Sequence, residues 1–400
     1  MRAELNHTKL FSFGFLVYWV IPMLIVVDDP LFSTPTPERV HSYWWKIAGI
    51  FACFFVGDFF GRLLKYNPKP ARPTKGFGPL LFVVSTAFAS FVVLKRVELF
   101  SGPYVVDAST IVVRGPIAAL SMLLFMIAIV RMSSREEFDL RNIYFGMFLF
   151  FAVVYLATGG RMVIVTCCIA LLIYYSCYVR RLKLSSLALM GTLGLLVFGA
   201  ISIWRIGTFQ NSVQTFFWTL ATESYYTSLS LLEYLNHYHE PLIAFPSQLL
   251  ADFYNLVPTF IAGEKLAFNN SFGVSSPFGA LHSYVSWMQN FGIFGSFLFA
   301  IALGFWLRWL RARNTSISRP IYSVVVASLA MTFWRDDFSI SVVKMMIENA
   351  ILFSLAIYYY AALIAELFPK ATFGLLPFQV RLLSKGDRQF RIFQFLGGRS

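Results

Sequence analysis

Apolar runs of near-bilayer length recur along this chain, at roughly 10–27, 43–63, 78–94, 115–130, 142–157, 162–179, 185–204, 287–307, 320–334 and 343–364. An α-helix rises 1.5 Å per residue, so each run covers a hydrocarbon core of about 30 Å or nearly so. Inside that core every backbone N–H and C=O needs an internal partner, which leaves helices as the structure for runs of this kind. The sequence therefore predicts an all-α, polytopic helical membrane protein with about ten transmembrane helices. Composition agrees: 58% of the residues are hydrophobic and 13% charged, where a soluble domain carries about a quarter charged residues. The run from Leu10 to Val27 contains Pro22 and lacks a small-residue cleavage site, so it reads as a retained first helix.

The formal charge of +13 belongs to topology. With the N-terminus placed in the cytoplasm, most of the 33 Lys and Arg fall in cytoplasmic connections, among them Arg62, Lys65, Arg131, Arg141, Arg180, Arg181, Arg311 and Arg313. That is the positive-inside bias, and it predicts both termini in the cytoplasm rather than affinity for nucleic acid. Cys53, Cys167, Cys168 and Cys177 all fall inside spans without ligand spacing and read as small apolar packing residues. Four parts follow: transmembrane helices 1–7 over 1–204, a long outer loop over 205–286, helices 8–10 over 287–365, and a basic cytoplasmic tail over 366–400.

The outer loop is the one long connection, so chemistry outside the membrane has to be built largely there. Its pattern predicts short amphipathic helices, one from Gln214 to Tyr238 with apolar residues near helical spacing and one from Ser247 to Phe260 bent at Pro258. Its many aromatic rings suit an interfacial belt, and equally a stacking surface for sugars.

Arginines on the translocated side run against the topological bias. Arg161 follows Thr158-Gly159-Gly160 at the start of a span. Two glycines let the backbone expose amides at a helix N-terminus, and a guanidinium there can grip phosphate oxygens in bidentate fashion. Arg205 ends the seventh span, and Arg335 stands in WRDD beside Asp336 and Asp337. Each of these arginines could instead snorkel to headgroups or pair locally. Lys344 and Glu348, four residues apart in the last span, could floor the same outer cavity. Asp58 and Arg62, with the same spacing, read as a structural pair. His282 is the histidine nearest an outer span end and a candidate general base, with Glu223, Asp252 and Asp336 as rivals. His237 and His239 with Glu240 supply no third ligand, so no metal site is expected.

The segments TGGRMVIV and HSYVSWMQNFGIFG, each leading into a span, with the single long outer loop between them, resemble the O-antigen (oligosaccharide repeat-unit) polymerases of the Wzy type, which are related to the O-antigen ligases. Both groups often carry a histidine and a polar residue ahead of a Gly-x-x-Gly. Here His282-Ser283 stands one residue closer to Gly292 and Gly295 than in that pattern, which favours the polymerase.

The resemblance implies a multi-pass enzyme of the bacterial inner membrane with a periplasmic loop. Its substrate would be an undecaprenyl-pyrophosphate-linked oligosaccharide, polymerised without a cofactor into O-antigen, capsule or exopolysaccharide. It also leaves room for a chain-length regulator protein as partner. In this chain the implied catalytic residues are Arg161, Arg205 and His282. The implied substrate-binding residues are Gly159, Gly160, Glu223, Asp252, Tyr284, Arg335, Asp336, Lys344 and Glu348. The alternatives are an O-antigen ligase, or a membrane transporter of lipid-linked sugars or small solutes.

Overall fold

A computed structural model of the chain describes residues 2–26, 35–64, 108–157, 162–206, 227–257 and 281–367. The described residues are mostly helical, and a single two-stranded pairing accompanies the helices. Helix α1 runs from His7–Phe15 through a π-helical stretch, Leu16–Val20, into Ile21–Val26. Next come α2 (Pro37–Leu63), α3 (Ala108–Arg135), α4 (Ile143–Ala157), α5 (Met162–Tyr174 with a π-helical end, Tyr175–Val179) and α6 (Leu184–Ile206). In the long connection α7 covers 227–237 and α8 covers Ser247–Asn255. The last group is α9 (Ser283–Arg313), α10 (Ser318–Ser328), the single turn α11 (Thr332–Arg335) and α12, which is π-helical over Ser339–Leu352 and α-helical over Phe353–Leu367.

Among the described residues, five helical stretches are long and apolar enough to cross a membrane: His7–Ile25, Ile117–Arg135, Met162–Val179, Ser283–Arg313 and Ser339–Leu367. The protein is thus a helical, membrane-embedded chain. The expected span at 78–94 lies outside the described residues. The one expected at 320–334 is not a continuous helix. It divides into α10 and α11, and almost every side chain of α10 is buried. Ser323, Ser328 and Thr332 return their hydroxyls to the carbonyls of Arg319, Val325 and Ser328, and Trp334 Nε1 donates to Leu329 O. Such back-bonding competes with the helical ladder, and here it supplies partners where the ladder stops.

Helices α2 and α9 run along each other through small residues. A methyl on Gly57 would overlap Ile301 O, and one on Gly304 would overlap Phe54 O. Backbones this close are what a small-residue seam between apolar helices permits. One end of the bundle gathers the basic connections. Arg2 and Ala3 pair antiparallel with Lys183 and Leu182, Arg311 pairs with Glu4, and Arg319 with Glu136. The Asp58–Arg62 pair is present there, and His7, absent from the sequence reading, completes it: Nε2 lies 2.8 Å from Asp58 Oδ1 and Nδ1 lies 2.9 Å from Tyr322 OH. This buried network fastens the start of α1 to α2 and α10.

Candidate functional site

The opposite end of the bundle holds most of the expected site residues that are described. Its organising point is the start of α9. His282 is the N-cap: Nδ1 accepts from Tyr284 N–H at 3.2 Å, so the ring proton sits on Nε2, which donates to Tyr18 O at 3.2 Å. The imidazole is fully buried, and burial pushes its pKa down to about 4. His282 is therefore neutral at pH 7 with both nitrogens engaged. In this arrangement the imidazole caps α9 and bonds it to α1.

Ser283 joins two walls of the site. It accepts from Trp19 Nε1 at 2.9 Å and donates to Trp334 O at 2.6 Å. Beside it lies a buried polar group whose lysine the sequence reading did not single out. Lys46 Nζ on α2 meets Glu240 Oε2 at 2.9 Å, and Tyr284 OH donates to Glu240 Oε1 at 2.9 Å. Tyr43, Trp19 and Tyr234 pack around Tyr284 with ring centroids 5.0, 5.6 and 6.5 Å away. Glu240 is thus committed to a lysine and a tyrosine, and the ion pair fixes the stretch between α7 and α8 to the bundle. A lysine in the apolar stretch WWKIAG was the available signal, since a charge at that depth requires a partner.

The rim of this end is built where α11 gives way to α12. Arg335 Nη1 touches Met162 Sδ at 2.8 Å, and Arg335 Nε lies 3.8 Å from the mostly buried Asp336. Met162 opens α5 and follows Arg161 in the sequence, so the WRDD turn reaches the head of the helix that TGGR introduces. Asp337 caps α12 through Ser339 Oγ and Ile340 N–H. Across from α12 packs α8 with Asp252. Burial, and secondarily the charge of Asp337, lifts the Asp252 carboxyl to about 6. Its Oδ2 is buried with no hydrogen-bond partner among the described residues.

His282, Tyr284, Arg335, Asp336 and Asp252 thus gather at one end of the bundle. Lys344 and Glu348 lie further along α12, the first exposed and the second half-buried. Gly159, Gly160, Arg161 and Glu223 lie outside the described residues, as does the Arg205 side chain, although its backbone ends α6. Among the described residues no cluster of His, Cys, Asp and Glu has the makings of a metal site. A cavity of about 530 Å3 at the basic end, lined by Trp306, Trp309, Arg313 and Tyr358 among others, has none of the site residues in its wall. Compared with known proteins, the chain matches no family model, no curated protein and no solved structure.

Proposed function

We propose that this chain is a membrane glycosyltransferase that polymerises undecaprenyl-pyrophosphate-linked oligosaccharide repeat units at the end of the bundle opposite its basic one. The observation that carries the reading is the contact of Arg335 with Met162, the residue next to Arg161. It sets the WRDD turn against the first residue of α5, which directly follows TGGR in the sequence. In the reaction the bond from the anomeric carbon to the pyrophosphate oxygen breaks, and a bond from that carbon to an acceptor hydroxyl oxygen forms. The hydroxyl proton passes to a base. A pyrophosphate leaves readily, so the need is for fixed positive charge on the departing oxygens, which Arg335, Arg161 and Arg205 would supply.

Asp252 replaces His282 as the base in this scheme, because its carboxylate has an oxygen to spare and its pKa of about 6 suits a base near neutral pH. A base acts only when deprotonated. The rate should therefore fall as pH drops through about 6, and Asp252→Asn should remove that acid limb together with most of the activity. An unchanged acid limb in the variant would assign the base elsewhere.

The deciding assay incubates purified protein in nanodiscs with lipid-pyrophosphate-linked repeat units. A ladder of products is expected. A single transfer to a lipid-A-type acceptor would make the protein a ligase. Unchanged substrate there, together with its movement across the bilayer of proteoliposomes, would make it a carrier, the reading that the interruption of α9 at Gly292 favours, since carriers build sites at broken helices. Arg161→Ala and Arg335→Ala should each lower polymer formation by about 100-fold or more, the usual effect of removing one preorganised charge-stabilising group. Wild-type ladders from both variants would remove the proposal.

A further inference from the structure

The connection between α7 and α8 does something unusual to α9. At Gly292 the helix is interrupted, with φ 66° and ψ −167°. The freed backbone groups are taken up by residues 241–244: Ile293 N–H donates to Pro241 O at 3.0 Å, Phe294 N–H to Leu242 O at 3.0 Å, and Ala244 N–H to Phe291 O at 3.2 Å. A stretch of non-helical chain is thereby hydrogen-bonded into the side of a membrane-spanning helix. Backbone of this kind is tolerated at membrane depth only when its polar groups are satisfied, and these bonds do that.

The side chains carried by this stretch point away from the bundle. Leu242, Ile243 and Phe245 are 63%, 77% and 73% exposed. Just before them the exposed residues are polar: Glu233, His237 and His239. The change from exposed charge to exposed hydrocarbon is completed between His239 and Leu242. Beyond the interruption the apolar exposure continues on α9 itself, at Phe294 and Leu298. From Ile293 to Leu307 α9 carries no charge, a helical length of roughly 22 Å, which sets the interruption near the far edge of a hydrocarbon core of about 30 Å when Arg308 marks the near one.

We infer that residues 241–246 form a wedge inserted into the acyl-chain region of the bilayer, with the lipid tails as the occupant of its exposed face. Continuity with the exposed side of a spanning helix, and the lack of any charge from Pro241 to Ala251, select lipid over an aqueous partner. The wedge is clamped at both ends, by Glu240 on Lys46 and Tyr284 and by Leu249 N–H on Asn290 Oδ1 at 2.9 Å. It therefore holds α7 and α8, and Asp252 with them, at a fixed height over the membrane. The inference stands whether or not the chain is a polymerase.

The test is accessibility in nanodiscs of phosphatidylethanolamine and phosphatidylglycerol. Single cysteines replace Ile243, Leu298 and Glu233 in a chain whose four native cysteines are alanine. Ile243→Cys should react with a charged, membrane-impermeant maleimide at least 10-fold more slowly than Glu233→Cys, and at the rate of the lipid-facing Leu298→Cys. An environment-sensitive label at 243 should be quenched by doxyl lipids. Reaction as fast as at 233, without lipid quenching, would overturn the inference. Should the cysteine-free chain fail to fold, benzoylphenylalanine at 243 in the native chain gives the same answer. A lipid adduct by mass supports the wedge, and protein adducts alone or no adduct refute it.

Discussion

Lys46→Met should destabilise the protein by about 3 kcal/mol or more, a large fraction of the whole stability of a typical domain. The pair that Lys46 makes is nearly dry, with side-chain exposures of 4% for the lysine and 12% for Glu240. Once the ammonium is gone, the carboxylate must either stay charged in a site with little water or take up a proton, and both are costly. Tyr284 OH still donates one hydrogen bond to it, which offsets part of the penalty and places the expected value at the low end of the range for broken buried pairs. Glu240→Leu should cost a similar amount, through the orphaned ammonium. The double variant should recover most of the loss, because a buried ion pair replaced as a unit by apolar groups of similar size is often close to neutral. Thermal unfolding in nanodiscs of all four proteins checks this. Limited proteolysis adds a local readout, since the single variants should open the chain around residue 240 before the bundle melts. If Lys46→Met unfolds at the wild-type temperature, the pair holds nothing together.

Some of this architecture is legible in the sequence and some is not, for definable reasons. Apolar runs mark helices because a backbone in hydrocarbon has to satisfy itself internally, and helices stand at nine of the ten runs, the one at 78–94 lying outside the described residues. The α7 and α8 helices were also readable from apolar spacing: 227–237 stands within the expected Gln214–Tyr238, and Ser247–Asn255 within the expected Ser247–Phe260, with Pro258 outside the described residues. The division of the ninth run into α10 and α11 was hidden, because Ser323, Ser328 and Thr332 look the same in a sequence whether they pack against a neighbour or bond back onto their own helix.

The site was legible in part. An arginine beside two aspartates after an apolar run announces a helix boundary, and Arg335 stands where α11 gives way to α12. His282 was equally conspicuous, yet its ring is bonded to the carbonyl of Tyr18 in a helix far away in the chain, and no local pattern carries that. The same holds for Lys46 and Glu240, which lie on opposite sides of most of the bundle in sequence. A lone intramembrane lysine shows that a partner exists without saying which.

Gly292→Ala should be strongly destabilising. The backbone there, φ 66° and ψ −167°, belongs to a region essentially confined to glycine, and forcing a side chain into it costs about 1–3 kcal/mol. The new methyl would also lie 2.7 Å from Pro241 O and 2.9 Å from both Ala244 N and Ile243 C. Those atoms are backbone and cannot rotate away. The segment 241–244 must then shift, which puts three hydrogen bonds at risk, each worth about 1 kcal/mol net. With all three bonds lost, a total of about 4–6 kcal/mol follows. The alternative route, closing the interruption into continuous helix, would satisfy the α9 groups but expel residues 241–244 entirely. The two routes are separable: expulsion makes a cysteine at 243 react quickly with aqueous maleimide, whereas strain alone lowers the unfolding temperature and leaves it slow. Gly146→Ala is the matched control. Nothing lies within 4 Å of a methyl there, and alanine in a helix interior is favoured over glycine by up to about 1 kcal/mol, so that variant should be neutral or slightly more stable. Equal melting temperatures for the two variants would mean that α9 is not interrupted at Gly292, and the anchoring of the wedge, of α8 and of Asp252 would go with it.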